Sequence, residues 1–236
     1  GDAREGQYVT VRILTQPATD APPTGRVVEV LGDHMAPGME IDVSLRMYDI
    51  PCTWPPEVTD EAAGFAPEPR RGDKAKRFDL RALPFVTIDG EDAKDFDDAV
   101  YCEKRRGGGW RLWVAIADVS HYVKNGTALD VEARRRATSV YFPGRVVPML
   151  PEELSNGLCS LVPDEDRLCL CCELRVSDDG RITRSRFFEA VMRSAARLTY
   201  REVGEFLERP AARHAPKIEQ LRERLLALHG VYHSFL

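Results

Sequence analysis

The sequence is short of several things, and each shortage excludes a class of protein. Its 236 residues contain no apolar run of membrane-spanning length and no signal-like apolar stretch at the N-terminus, which argues against a helical membrane protein; a cytoplasmic protein is expected. Six cysteines are present; Cys169 and Cys172 have Cys-x-x-Cys spacing, but strand alternation points them to opposite faces and no histidine lies close to the cluster, so buried thiols are expected rather than zinc ligands or disulfides. Excess positive charge is missing as well. The net charge of -5 gives no basic field over the whole molecule, and any nucleic-acid contact must come from local basic patches or a bound cation. There is no internal repeat and no zinc-protease motif: His229 and His233 are four residues apart, but Gly230, Val231 and Tyr232 lie between them, with no glutamate.

What is there is unevenly distributed. Residues 7–14, 24–31 and 39–48 read as three strands separated by Pro- and Gly-rich connectors (16–23 and 32–38), the pattern of a partial small β-barrel of the OB kind. Residues 51–78 carry prolines and mixed charge and read as a linker, with one short helix at 58–63 and a basic run at 70–77. From residue 79 the pattern becomes α+β. FVTI (85–88), AVYCEK (99–104) and WRLWVAIADVSHYV (110–123) read as strands, the last two joined across the Gly107–Gly109 turn. Thr127 and Thr199 each precede a helical pattern with an acidic residue three positions on, and Pro151 opens a shorter helical stretch. Ile218, Leu221, Leu225, Leu228, Tyr232 and Phe235 give the last segment a broad apolar face. The expected fold is α+β: a partial OB-like barrel (1–50), a linker (51–78), and a mixed, largely antiparallel sheet with packed helices (79–236).

The most informative stretch is DGEDAKDFDD, 89–98, with five aspartates in ten residues between two apolar strands. Crowded carboxylates raise one another's proton affinity and are relieved by a cation. The alternative is a solvated Asp-rich turn. Asp89, Asp95, Asp97 and Asp98 offer only hard oxygen ligands, which select Mg²⁺, Mn²⁺ or Ca²⁺. A calcium loop fits badly, because Lys94 stands at the sixth position, where that loop needs glycine, and a strand follows. Gly90 is expected to let the chain turn sharply so that the later aspartates fold back on Asp89. In a regular strand Asp97 and Asp98 point to opposite faces, so a shared site needs irregular backbone or a second ion or water. Residue chemistry thus leads to a Mg²⁺-dependent phosphotransfer or hydrolysis site, where two ions can divide the work of activating water and steadying the leaving oxygen.

Longer segments say more. DLRALPFVTIDGEDAKDFDDAV (79–100), WRLWVAIADVSHYV, RRRATSVYFPGRVVPMLPEELSNGLCSL (134–161) and DRLCLCCELRV (166–176) resemble, in consistent order, the catalytic domain of the ribonuclease II/ribonuclease R family, nearer the ribonuclease R branch. The N-terminal strands resemble the later part of the cold-shock domain that precedes it. The resemblance implies a processive 3′→5′ exoribonuclease that uses Mg²⁺ (or Mn²⁺) to release nucleoside 5′-monophosphates from single-stranded RNA, and in that branch from structured RNA too. It maps the family's four aspartates onto Asp89, Asp95, Asp97 and Asp98. Asp89 and Asp98 are then the first metal ligands, Asp95 a supporting ligand or water-positioning group, and Asp97 the group most critical to cleavage. Tyr141 matches an aromatic that stacks on nucleotides near the RNA 3′ end. The family's domain runs on past the point matching Leu236, through an arginine, a second stacking aromatic and an S1 domain, so low activity is expected of these 236 residues alone. Arg134, Arg135 and Arg136 are either RNA-backbone contacts or a solvated helix face. Asp118 is either an accessory acid or a turn cap, and His121 reads as structural. The competing reading is a non-catalytic RNA-binding protein on a nuclease fold.

Overall fold

The structure is a computed structural model that describes residues 3–34 and 36–236; Met35, in the connector 32–38, lies outside the described residues. Two compact units divide the chain: residues 1–56 with 133–149, and residues 57–132 with 150–236.

In the first unit, β1 (Gln7–Thr15) and β2 (Thr24–Asp33) pair antiparallel with three irregularities in register. The third expected strand is a helix, α1 (Met39–Met47). Its apolar residues do alternate, which is the strand signal, but Ile41 and Leu45 are also four apart and helix caps decide the matter. Gly38 enters at φ 83°, Glu40 and Asp42 lie in the first turn and Arg46 in the last, each complementing the helix dipole. Arg46 reaches β2 through paired hydrogen bonds to Glu29 at 2.6 and 3.0 Å.

The second unit begins with α2 (Pro56–Ala63), the short helix expected in the 51–78 segment, and α3 (Arg71–Ala75), within the basic run. Its sheet comprises β3 (Phe78–Asp79), β4 (Phe85–Asp89), β5 (Asp98–Lys104), β6 (Trp110–Ala117), β9 (Asp166–Val176) and β10 (Ile182–Thr199). Between β6 and β9 come α4 (Val119–Tyr122), α5 (Ala128–Arg136) and a short irregular helix, Glu153–Leu158, with the small hairpin β7 (Val140–Phe142) and β8 (Arg145–Val147) belonging to the first unit. Strand order is β3-β10-β4-β5-β6-β9, and β10 also pairs with β9, so the sheet curls back on itself. β10 does this by length. Its first part runs antiparallel to β9, and after an irregularity at Ser194–Ala196 its end runs parallel to β4.

Thr199 closes β10 and caps α6 (Tyr200–Glu208) in a capping box with Glu202. Val86 and Leu198 form one core with Phe206 of α6 and with Ile218, Leu221 and Leu225 of α7 (Pro216–Phe235). Phe85, Ala99, Trp113, Ala115, Cys169 and Cys171 are buried as well. The α+β expectation therefore holds, as a small antiparallel sheet followed by a larger mixed sheet packed on helices. All six cysteines are free thiols.

Candidate metal and nucleic-acid site

The acidic loop is set by strands at both ends. Asp89 is the last residue of β4, in register with Thr199 of β10, and Asp98 is the first of β5, opposite Ile116 of β6. Asp97 lies just outside the strand, its carbonyl accepting the amide of Ala117 at 2.8 Å. That bond carries the Asp98–Ile116 register one residue further along the strand pair. Gly90 is not what bends the loop: it keeps negative φ, and an added Cβ would meet open space.

Two residues far away in sequence hold the loop in shape. The Ser160 hydroxyl, fully buried, accepts the amide of Phe96 at 3.0 Å and donates to the carbonyl of Lys94 at 3.1 Å, while the amide of Leu161 donates to the carbonyl of Phe96 at 2.8 Å. On the other side Arg197 donates to the carbonyls of Glu91 (2.5 Å) and Ala93 (3.2 Å), and its guanidinium lies 5.0 Å from the centre of the Phe96 ring. Neither residue carries a local sequence signal, since they lie 64–106 positions downstream of their partners, inside ordinary strand and turn segments.

The electrostatics are those of a carboxylate cluster. Burial pushes the Asp89 carboxyl above its ordinary range, and the charges of Asp98 and Asp95 add to this against the nearby Arg197. One carboxylate oxygen of Asp89, Oδ2, is buried without a hydrogen-bond partner. Asp97 reaches solvent, yet surrounding protein strips enough water from its carboxylate to raise its pKa, and Asp95, Asp98 and Asp89 raise it further. Among the described residues, no three His, Cys, Asp or Glu side chains stand together as a closed metal cage. Mutually repelling carboxylates do not close on one another without a cation between them. The orphaned oxygen of Asp89 and a donor set made only of oxygens fit a hard divalent cation.

The other candidates separate. Asp118 caps α4 and forms a buried ion pair with Arg77 at 2.5 Å; burial opposes its charge, but hydrogen bonds from Ser120 and Arg77 and the charge of Arg77 outweigh that and hold the carboxyl below its ordinary range. Of the two readings for Asp118, the cap is the one found. The basic run at 70–77 is correspondingly not all solvated charge: Lys74 pairs with Asp166 at 3.0 Å, and Arg77 is buried. His121 lies 3.5 Å from Asp73 and against the Tyr122 ring. Tyr141 is exposed (65%) on β7 of the first unit, and Arg134 and Arg135 are exposed near the end of α5. Arg136 is buried there instead, donating to the carbonyls of Pro148 (3.0 Å) and Thr53 (2.9 Å) and stacking 3.4 Å from the Trp54 ring centre, which is a packing role.

Comparison with known proteins gives this arrangement a family. The RNB domain family matches residues 77–235, and a cold shock domain family matches residues 1–55. Over 233 residues the chain is 55% identical to ribonuclease R of Escherichia coli (strain K12), an alignment covering 98% of the chain and 28% of that protein. The chain belongs to the ribonuclease II/ribonuclease R family. It spans little more than a quarter of the length of that relative, and 52% of a ribonuclease R from Acidithiobacillus ferrooxidans with which it is 51% identical over 230 residues. Among solved structures, the family's Mycoplasma genitalium RNase R in complex with double-stranded RNA superposes with a TM-score of 0.90 at 30% identity, covering 99% of the chain and 41% of that protein. Yeast Ssd1, described as a pseudonuclease, shares the fold (TM-score 0.74, 21% identity, 98% and 28% covered).

Proposed function

We propose that this chain carries the metal-binding part of a Mg²⁺-dependent 3′→5′ exoribonuclease that hydrolyses single-stranded and structured RNA to nucleoside 5′-monophosphates. The observation that carries the reading is the buried, unpartnered Asp89 Oδ2 within a four-aspartate loop of a family of ribonucleases. Asp89 and Asp98 would hold Mg²⁺ (or Mn²⁺), with Asp95 as a supporting ligand. Bound there, the ion supplies charge neutralisation at phosphate and a more acidic water. Asp97 acts at the cleavage step, where its raised proton affinity suits it to accept a proton from the reacting water. Tyr141 offers an exposed ring for base stacking, worth roughly 1–3 kcal/mol per base. Arg134 and Arg135 supply backbone contacts, and Arg136 orders their helix end. Domain limits at 1–50, 51–78 and 79–236 accompany this reading, as does a cytoplasmic location, where the free thiols stay reduced.

The test is end-labelled single-stranded RNA with Mg²⁺, comparing the parent with Asp97→Asn. Mononucleotides should appear from the 3′ end, slowly for these 236 residues. The substitution should lower their release by about a hundredfold or more, the scale on which misplaced reacting groups act. Equal product patterns for parent and variant would remove the acidic loop from catalysis.

A further inference from the structure

At the opposite end of β5 and β6 from the acidic loop, the sheet carries a ladder of arginines. Arg111 of β6, Arg175 of β9 and Arg184 of β10 are direct register partners on three neighbouring strands. Like charges placed directly opposite across strands destabilise a sheet, so such a row needs compensation. Arg111 has it: Glu173 at 2.8 Å, Glu103 at 3.7 Å, and the Trp113 ring beneath it at 4.4 Å. Glu173 is held below its ordinary pKa by the Arg111 hydrogen bond and so stays charged, but it is already engaged. Among the described residues, no ion pair holds the guanidinium of Arg175 or of Arg184. A register irregularity between Ile182 and Arg184, where the Thr183 hydroxyl donates to the carbonyl of Arg175 at 3.1 Å, sets the side chain of Arg184 beside that of Arg175.

The surroundings deepen the imbalance. Arg186 borders the same recess as Arg111, Glu173, Arg175 and Arg184, and Lys104, Arg105 and Arg106 of the β5–β6 turn line an adjoining one. Seven cations thus face Glu103 and Glu173, in a chain whose net charge is -5. Aromatic surface adjoins them. Arg186 stacks 4.5 Å from the Phe78 ring and 4.9 Å from Phe188, and Phe78 is half exposed. A strand rise of about 3.3 Å per residue puts this ladder roughly 20 Å from Asp98, too far to belong to the acidic site.

We propose that the Arg111–Arg175–Arg184 ladder is a second RNA-binding surface, which takes the phosphate backbone of a single strand while exposed aromatic surface beside it takes a base. Cations in a row with interleaved aromatic rings match a polyphosphate carrying planar bases. The proposal shares with the preceding section the premise that RNA is the ligand, but it requires no catalysis.

The experiment measures binding of a fluorescent single-stranded RNA by anisotropy at several salt concentrations, without divalent metal, for the parent and for Arg175→Gln/Arg184→Gln. Arg111 is left in place because it braces Glu173, and unchanged thermal unfolding verifies the fold. Each lost phosphate contact should reduce the slope of log affinity against log salt by about 0.7, so the pair should flatten it by about 1.4. An unchanged slope overturns the proposal. So does an unchanged RNA slope combined with weaker binding of poly-glutamate, which would mark an acidic protein partner instead. If the slope flattens while the protein, in a separate assay with Mg²⁺, releases no mononucleotides, the RNA surface stands and the exonuclease reading fails.

Discussion

Magnesium should stabilise this fold, and one carboxylate should account for most of the gain. Asp89 and Asp97 both bind protons more tightly than ordinary aspartates, chiefly through burial and then through the charges of neighbouring aspartates. At neutral pH without a cation, ionising them opposes folding. A ligand that binds only the folded state stabilises it by about 2.7 kcal/mol at a hundredfold excess over its dissociation constant. For a chain of this size each kcal/mol moves Tm by about 2–4 °C, so Mg²⁺ should raise it by about 5–10 °C. In Asp89→Asn the buried charge is gone and so is a ligand; the metal-free protein should melt no lower than the parent, and the Mg²⁺ gain should shrink below about 2 °C. The assay is differential scanning calorimetry, with potassium chloride matched in ionic strength so that screening is not mistaken for binding. Acidity supplies an independent arm. Because the folded pKa values of Asp89 and Asp97 are raised, their contribution to metal-free stability is full below the ordinary aspartate value near 4 and is lost as pH rises through the folded values. Relative to Asp89→Asn, the metal-free parent should therefore gain stability as pH falls from 7 towards about 4. Equal Mg²⁺ gains in parent and variant would refute the reasoning.

Ser160→Ala removes the hydroxyl that ties Phe96 to Lys94, leaving buried polar groups unpaired; urea unfolding should show a loss of about 1–3 kcal/mol, with weaker Mg²⁺ binding by titration calorimetry. Arg77→Met strands the buried carboxylate of Asp118 and should cost about 3–5 kcal/mol in the same assay, whereas Arg77→Met/Asp118→Leu should recover much of it. Asp118 is the opposite titration case to Asp89. Its depressed pKa stabilises above about 4 and that stability is lost as pH falls through the folded value, so Asp118→Asn should flatten the acid limb of the unfolding curve.

Legibility in the sequence followed the range of the interactions. The acidic loop, the β5–β6 hairpin and the Thr199 capping box are written in neighbouring residues and were readable there. α1 was not, because Met39, Ile41, Val43 and Leu45 satisfy the strand period while Gly38 and the end charges favour a helix. Ser160 and Arg197 were invisible for a different reason: each acts through hydrogen bonds to backbone distant in sequence, and no pattern of side chains records a carbonyl acceptor. Arg136 shows the same limit from the other side. Three consecutive arginines look alike in a sequence, and only packing separates the one stacked on Trp54 from the two that face water.

The clasp that Arg197 places on the carbonyl of Glu91 spans 106 positions. At a synthesis rate of about 5–20 residues per second, the aspartates leave the ribosome on the order of 5–20 s before the arginine that will shape them. β4 waits equally long for β10, its parallel partner. For that interval the chain holds its negative charges on an unformed loop beside an unpaired strand edge. The order of appearance thus delays any assembled metal site until the long strand β10 has been made.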